Sequence, residues 1–136
     1  KDVPRQIQAL DDLLKVDSAD VESARQLATL LAPMKDDRRS EEAYRRVIGI
    51  DPFDRDAQAA YGRLALKRKD NDAAQRAFRA ALASNPPDRA TAHVDLAEAY
   101  AAAGKPAEAK KEVLSALEIA PSFERAQDLL LKVAQP

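Results

Sequence analysis

"AAAGKPAEAKKEVLSALEIAP", residues 101–121, holds a whole helical hairpin in one line. Helix-favouring alanines stop at Gly104, Pro106 opens a second stretch, and Pro121 closes it. Glycine accepts the left-handed backbone that ends a helix. Proline fits the first turn of the next helix, where its missing N–H would have no partner anyway. These residues therefore predict two helices joined by a tight turn.

The hairpin recurs. "IGIDP", "ALASNP" and "LEIAP" end at Pro52, Pro86 and Pro121, which are 34 and 35 residues apart. A fixed period of this size marks a helical repeat array. Alignment on the prolines gives units at 21–54, 55–88 and 90–123, with Arg89 as a single inserted residue beside Pro86 and Pro87. A half unit, 1–20, precedes them and a C-terminal helix, 124–136, follows.

At equivalent places the third unit has Leu96, Ala97 and Tyr100, then Ala109, Val113 and Ala116. The second has Tyr61, Gly62 and Ala65, then Ala74, Phe78 and Ala81. The first has Leu27, Ala28 and Leu31, then Ser40, Tyr44 and Val47. This pattern resembles the tetratricopeptide repeat family over nearly the whole chain, with His93 where the family often has tryptophan. The resemblance implies an all-α, right-handed superhelical array of about eight helices, built from antiparallel hairpins. It also implies a protein-binding role, with the first helix of each hairpin lining a concave groove.

The small residues have a physical reason. Glycine or alanine at 28, 62 and 97 lets two helix axes approach, as do Ala81 and Ala116 from the second helices, while Tyr44 and Phe78 fill the space between hairpins. Apolar residues recur at three- and four-residue spacing, so a single hairpin cannot bury its face alone and must stack. Asp72 with Gln75 reads as a capping box, and Ser40 reads as the cap of "EEAYRR". Pro33 should stop the first helix near Leu31 and leave "PMKDDRR" as a long irregular loop. Helices are predicted near 4–16, 20–32, 40–50, 55–68, 72–84, 89–103, 106–119 and 123–134.

The chemistry is sparse. The 136 residues hold one histidine, no cysteine, 22 basic and 23 acidic groups, for a net charge of −1. Disulfides and thiolate metal sites are excluded, and His93 has no companion imidazole, so it reads as a packing residue and no metal or other cofactor is expected. Adjacent acids such as Asp11–Asp12, Asp36–Asp37 and Glu41–Glu42 diverge by about 100° on a helix, so they do not converge as catalytic dyads. Glu41 and Glu42 lie four residues before Arg45 and Arg46, an ion-pair spacing. No glycine-rich phosphate loop exists among three glycines, so no enzyme is expected. The basic clusters, such as Lys67–Arg68–Lys69, are interrupted by acids, and aromatic residues make up 4% of the chain, which argues against nucleic acid. No apolar run approaches the roughly 18 residues of a membrane span, so no membrane insertion is expected.

The groove places implied by the resemblance are Glu22, Arg25 and Thr29, then Asp56, Ala59, Arg63 and Leu66, then Thr91, Val94 and Glu98. A subset of the family clamps a C-terminal carboxylate with two lysines, two asparagines and an arginine. Those places here hold Arg25, Thr29, Ala60, Thr91 and Asp95, so that ligand is disfavoured. The expected role is a non-catalytic interaction or scaffold module binding a protein or peptide. The alternative is an accessory domain of a larger enzyme, such as a bacterial peptidase. "KDVPRQ" opens without methionine, which fits a segment of a longer chain, and the alanine- and arginine-rich composition fits a bacterial source. The last helix is apolar around much of its circumference, so Leu129 and Val133 are candidates for a homodimer or partner contact.

Overall fold

The computed structural model describes residues 2–135, and among these the chain is eight α-helices with no strand. They are α1 (Val3–Val16), α2 (Val21–Leu31), α3 (Asp37–Ile50), α4 (Arg55–Lys67), α5 (Asn71–Ala83), α6 (Arg89–Ala102), α7 (Pro106–Ile119) and α8 (Glu124–Val133). Each helix packs chiefly on its neighbours in sequence, while α4 also touches α6 and α6 touches α8. The even-numbered helices therefore form one layer and the odd-numbered helices the other. This is the predicted all-α solenoid of antiparallel hairpins.

The helix starts follow a rule that differs from the expected caps. Asp2, Asp20, Asp36, Asp54, Asp70 and Asp88 each accept a hydrogen bond from the backbone N–H three residues on, at 3.0–3.2 Å. The carboxylate satisfies an N–H that has no partner within the helix, and its charge suits the positive end of the helix dipole. Asp70, not Asp72, therefore caps α5, and Gln75 is buried within that helix. Asp36, not Ser40, caps α3, and Ser40 is buried one turn inside. Only α7 and α8 lack a side-chain cap, and α7 starts on Pro106 instead.

Pro33 does end α2 at Leu31, but no long loop follows. A single 3-10 turn, Ala32–Met34, leads to Lys35 in the left-handed region at φ 58°. Lys69 at φ 67° and Gly104 at φ 73° hold the same place before α5 and α7. Two lysines thus adopt a conformation that glycine adopts without strain. Asp20, Asp54 and Asp88 are spaced by 34 residues, so Arg89 simply begins α6 as Arg55 begins α4. The extra residue of the third unit is taken up in α6, which has 14 residues against 13 in α4.

Three packed clusters run along the array. The first joins Ile7, Leu10 and Leu14 of α1 to Leu27, Leu31 and Val47. The second centres on Phe78, with Ala65, Ala74 and Leu96 around it. The third joins Val94, Ala97, Val113 and Ala116 to Ala126 and Leu129 of α8. Gly62 is buried against Phe78, and a Cβ placed there would lie 2.6 Å from the ring. That distance explains why the close-approach place needs glycine here, while Ala28 and Ala97 suffice in the other units.

Candidate functional site

The layer formed by α2, α4, α6 and α8 carries a run of depressions. The first, about 490 Å³, lies between α1 and α2 and is lined by Leu10, Glu22, Arg25, Thr29 and Leu30. The next, about 450 Å³, shares Arg25 and Thr29 and adds Tyr44, Asp56, Ala59, Ala60 and Arg63. A third, about 200 Å³, shares Asp56, Ala59 and Arg63 and reaches Thr91, Ala92 and Asp95. Because neighbouring depressions share wall residues, they form one continuous groove. Leu66 and Glu98 line a separate hollow of about 620 Å³ nearer α8, with Lys69 and Lys132.

Nine of the ten expected groove residues line these hollows. Val94 does not. It is fully buried against α7 and α8, and its neighbour Asp95 takes the wall position instead. From the sequence, Asp95 stands out only as a residue hostile to a bound carboxylate. The structure makes it a hub: the residue is 3% exposed, and its carboxylate accepts from Nη1 of Arg63 at 3.3 Å and Nη2 of Arg125 at 2.7 Å. Arg125 also donates to Glu98. The charges in this chain alternate from α4 through α6 to α8, tying three helices of one layer together.

Arg25 is held similarly at the other end. Its Nε donates to Asp54 at 2.6 Å and its Nη2 to Asp51 at 2.8 Å, so a groove arginine is anchored to the α3–α4 turn. Burial pushes the Asp54 carboxyl up, but the Arg25 guanidinium and the Ala57 N–H outweigh it and hold the group below its ordinary value. At Asp95 the balance reverses: burial wins over Arg125 and Arg63 and raises the carboxyl. In both groups each carboxylate oxygen has a partner: Asp54 accepts from Arg25 and the Ala57 N–H, and Asp95 from Arg125 and Arg63.

Other expectations concern residues outside the groove. His93 sits between α6 and α7 with Nδ1 2.7 Å from Oε2 of Glu112, so it packs and hydrogen-bonds inside one hairpin. No cluster of three or more metal-ligating side chains occurs among the described residues. Glu41 lies 3.9 Å from Arg45 as the spacing suggested, but its close partner is Arg68 of the next hairpin at 2.5 Å. Glu42 pairs backwards with Arg38 at 3.5 Å. No helix among the described residues is long and apolar enough to cross a membrane.

The C-terminal helix departs from its expected exposure. Leu129 is 9% exposed and Val133 is partly buried in the same cluster, because α8 turns them onto α6 and α7. The side chain left outside is Leu131, 66% exposed. Leu129 is therefore part of the chain's own core rather than a free contact residue.

Comparison with known proteins agrees with this geometry. A tetratricopeptide repeat family model matches residues 60–124. No curated protein matches the sequence. Among solved structures, MamA superposes with a TM-score of 0.83 at 23% identity, covering 93% of this chain and 74% of its own. The second tetratricopeptide repeat domain of human RPAP3, in complex with the HSP70 peptide SGPTIEEVD, gives 0.75 at 20% identity, covering 83% and 93%. YrrB, described as having an unusual peptide-binding site, gives 0.74 at 16% identity, covering 91% and 63%. The chain is an α-solenoid whose residues 60–124 match the tetratricopeptide repeat pattern and whose fold is shared with these structures over nearly the whole length.

Proposed function

We propose that this chain is a non-catalytic protein-interaction module that holds an extended segment of a partner along α2, α4 and α6. The observation that carries the reading is the continuous groove, whose depressions share Arg25 and Thr29 and then Asp56, Ala59 and Arg63. Its floor is made of small side chains, Ala59, Ala60 and Ala92, which leave room for a bound backbone. Arg25 and Arg63 are fixed by ion pairs before any ligand arrives, so little ordering of these side chains is left to oppose binding. The related folds that carry peptides, human RPAP3 with an HSP70 peptide and YrrB with its peptide-binding site, support the class of ligand.

The test is selection of an unbiased dodecapeptide display library on the purified protein. Selected peptides should lose binding when Ala59→Trp fills the depressions, and keep it when Arg46→Glu alters the exposed side of α3. Retained binding in Ala59→Trp with loss in Arg46→Glu would place the site on the opposite layer.

A further inference from the structure

Resting on the groove reading, we propose that the bound segment is basic: it seats a lysine or arginine side chain against Asp56, where two depressions meet. The argument begins with the groove's own cations. Arg25 is engaged by Asp54 and Asp51, and Arg63 and Arg125 share the buried Asp95, with Glu98 closing the chain. Arg63 and Arg125 already balance the buried Asp95, so a partner carboxylate brought to them would share cations that are in use and set a second negative charge beside it. Arg25 likewise already balances Asp54 and Asp51, with Glu22 4.0 Å away. The groove is thus poorly matched to an acidic peptide such as SGPTIEEVD, the HSP70 peptide in complex with human RPAP3.

The carboxylates are in the opposite condition. Asp56 is exposed, lines both central depressions, and has no ion-pair partner among the described residues. Glu22 is 4.0 Å from Arg25, which is already engaged twice. Asp88 caps α6 through Thr91 and faces the same depression as Asp56 without a cation of its own. Against these three stands Arg55, the one groove arginine free of ion pairs among the described residues. Among the groove-lining residues the surplus is negative, and Asp56 and Asp88 place most of it in one depression, while Arg89 at the start of α6 turns to Asn85 instead. Lys69 and Lys132 lie in the separate hollow toward α8.

The shape of the seat fits the same ligand. Ala59, Ala81 and Ala92 with the edge of Phe78 give an apolar wall beside Asp56. A lysine or arginine can lay its methylene stem on such a wall and keep its charged end at the carboxylate. Charge complementarity of this type decides which partner binds more than how tightly a matched one does.

The experiment compares two pools of C-terminally amidated dodecapeptides, alike at apolar positions, with lysine and arginine or aspartate and glutamate at the polar ones. Fluorescence polarisation at low ionic strength should show the basic pool bound about tenfold more tightly or better, a margin that shrinks as salt screens it. Asp56→Lys, on an exposed first-turn position, should keep the circular dichroism spectrum and abolish or reverse the preference. Equal binding of the two pools, preference for the acidic pool, or a preference unmoved by Asp56→Lys would overturn the inference and leave the groove reading standing. Binding by neither pool would overturn the groove reading as well.

Discussion

Gly62 offers a sharp test of the packing because the sign of its substitution opposes helix propensity. In an open helix, Gly→Ala stabilises by about 0.8–1.0 kcal/mol. At Gly62, however, the new Cβ would stand 2.6, 2.8 and 2.9 Å from three carbons of the Phe78 ring. That ring is 2% exposed and is walled by Ala65, Ala73, Ala74 and Leu96, so it cannot swing clear without moving α5 or α6. Overpacking a filled core costs about 1–3 kcal/mol, which offsets the propensity gain and leaves Gly62→Ala destabilising by up to about 2 kcal/mol net. For a chain of this size that lowers Tm by several degrees. Gly49 supplies the control: it is helical and exposed, and a Cβ added there would meet nothing within 4 Å, so Gly49→Ala should raise stability by up to about 1 kcal/mol. Urea and thermal unfolding followed by circular dichroism would measure both. A smaller residue at position 78 should relieve the clash, so Gly62→Ala should cost less in a Phe78→Leu background, with a coupling of about 0.5–3 kcal/mol. If Gly62→Ala stabilised the protein as much as Gly49→Ala, the close approach of α4 to Phe78 would be wrong.

Ala97→Leu should cost about 1–3 kcal/mol in urea unfolding, since Ala97 is fully buried against Val94, Val113 and Ala116. Asp36→Ala should cost about 1 kcal/mol, whereas Asp72→Ala, outside the cap, should stay within about 0.5 kcal/mol. Leu129→Ala should lower stability by about 2–5 kcal/mol and Leu131→Ala by about 0.5 kcal/mol or less, which tests which face of α8 is core. In acid, the Asp54 carboxyl, held below its ordinary 3.8, contributes stability that is complete above that value and disappears as pH falls through its lower folded value. Asp54→Asn should therefore flatten the acid limb of a stability–pH profile, and an unchanged limb would refute the Arg25 anchor. Asp95 has the opposite sign: its raised pKa favours the fold at low pH and that gain is lost as pH rises through the folded value, so Asp95→Asn should remove a contribution opposed to that of Asp54.

Much of this was legible in the chain itself. Pro52, Pro86 and Pro121 carried the period, and the small residues at 28, 62 and 97 carried the register, because repeated close contacts leave few choices of side chain. The caps were written in the sequence too. Asp20, Asp36, Asp54, Asp70 and Asp88 alternate at spacings of 16 and 18, but none has Glu or Gln three residues on, so a search for capping boxes passes over them. Lys35 and Lys69 hid two turns, since a left-handed lysine has no sequence signature and only tertiary packing enforces it. Val94 and Leu129 were misplaced for a related reason: helical spacing tells which residues share a face, but not which neighbour covers it. The Arg63–Asp95–Arg125 chain joins residues about one repeat apart, and no local pattern announces it.

The central claim is that a partner segment lies along α2, α4 and α6, and amide chemical-shift mapping tests it most directly. With a display-selected peptide added to isotopically labelled protein, perturbations should cluster at residues 22–29, 56–66 and 91–98 and spare the exposed sides of α3, α5 and α7. A perturbed surface confined to those odd-numbered helices, or to the two ends of the array, would contradict the account.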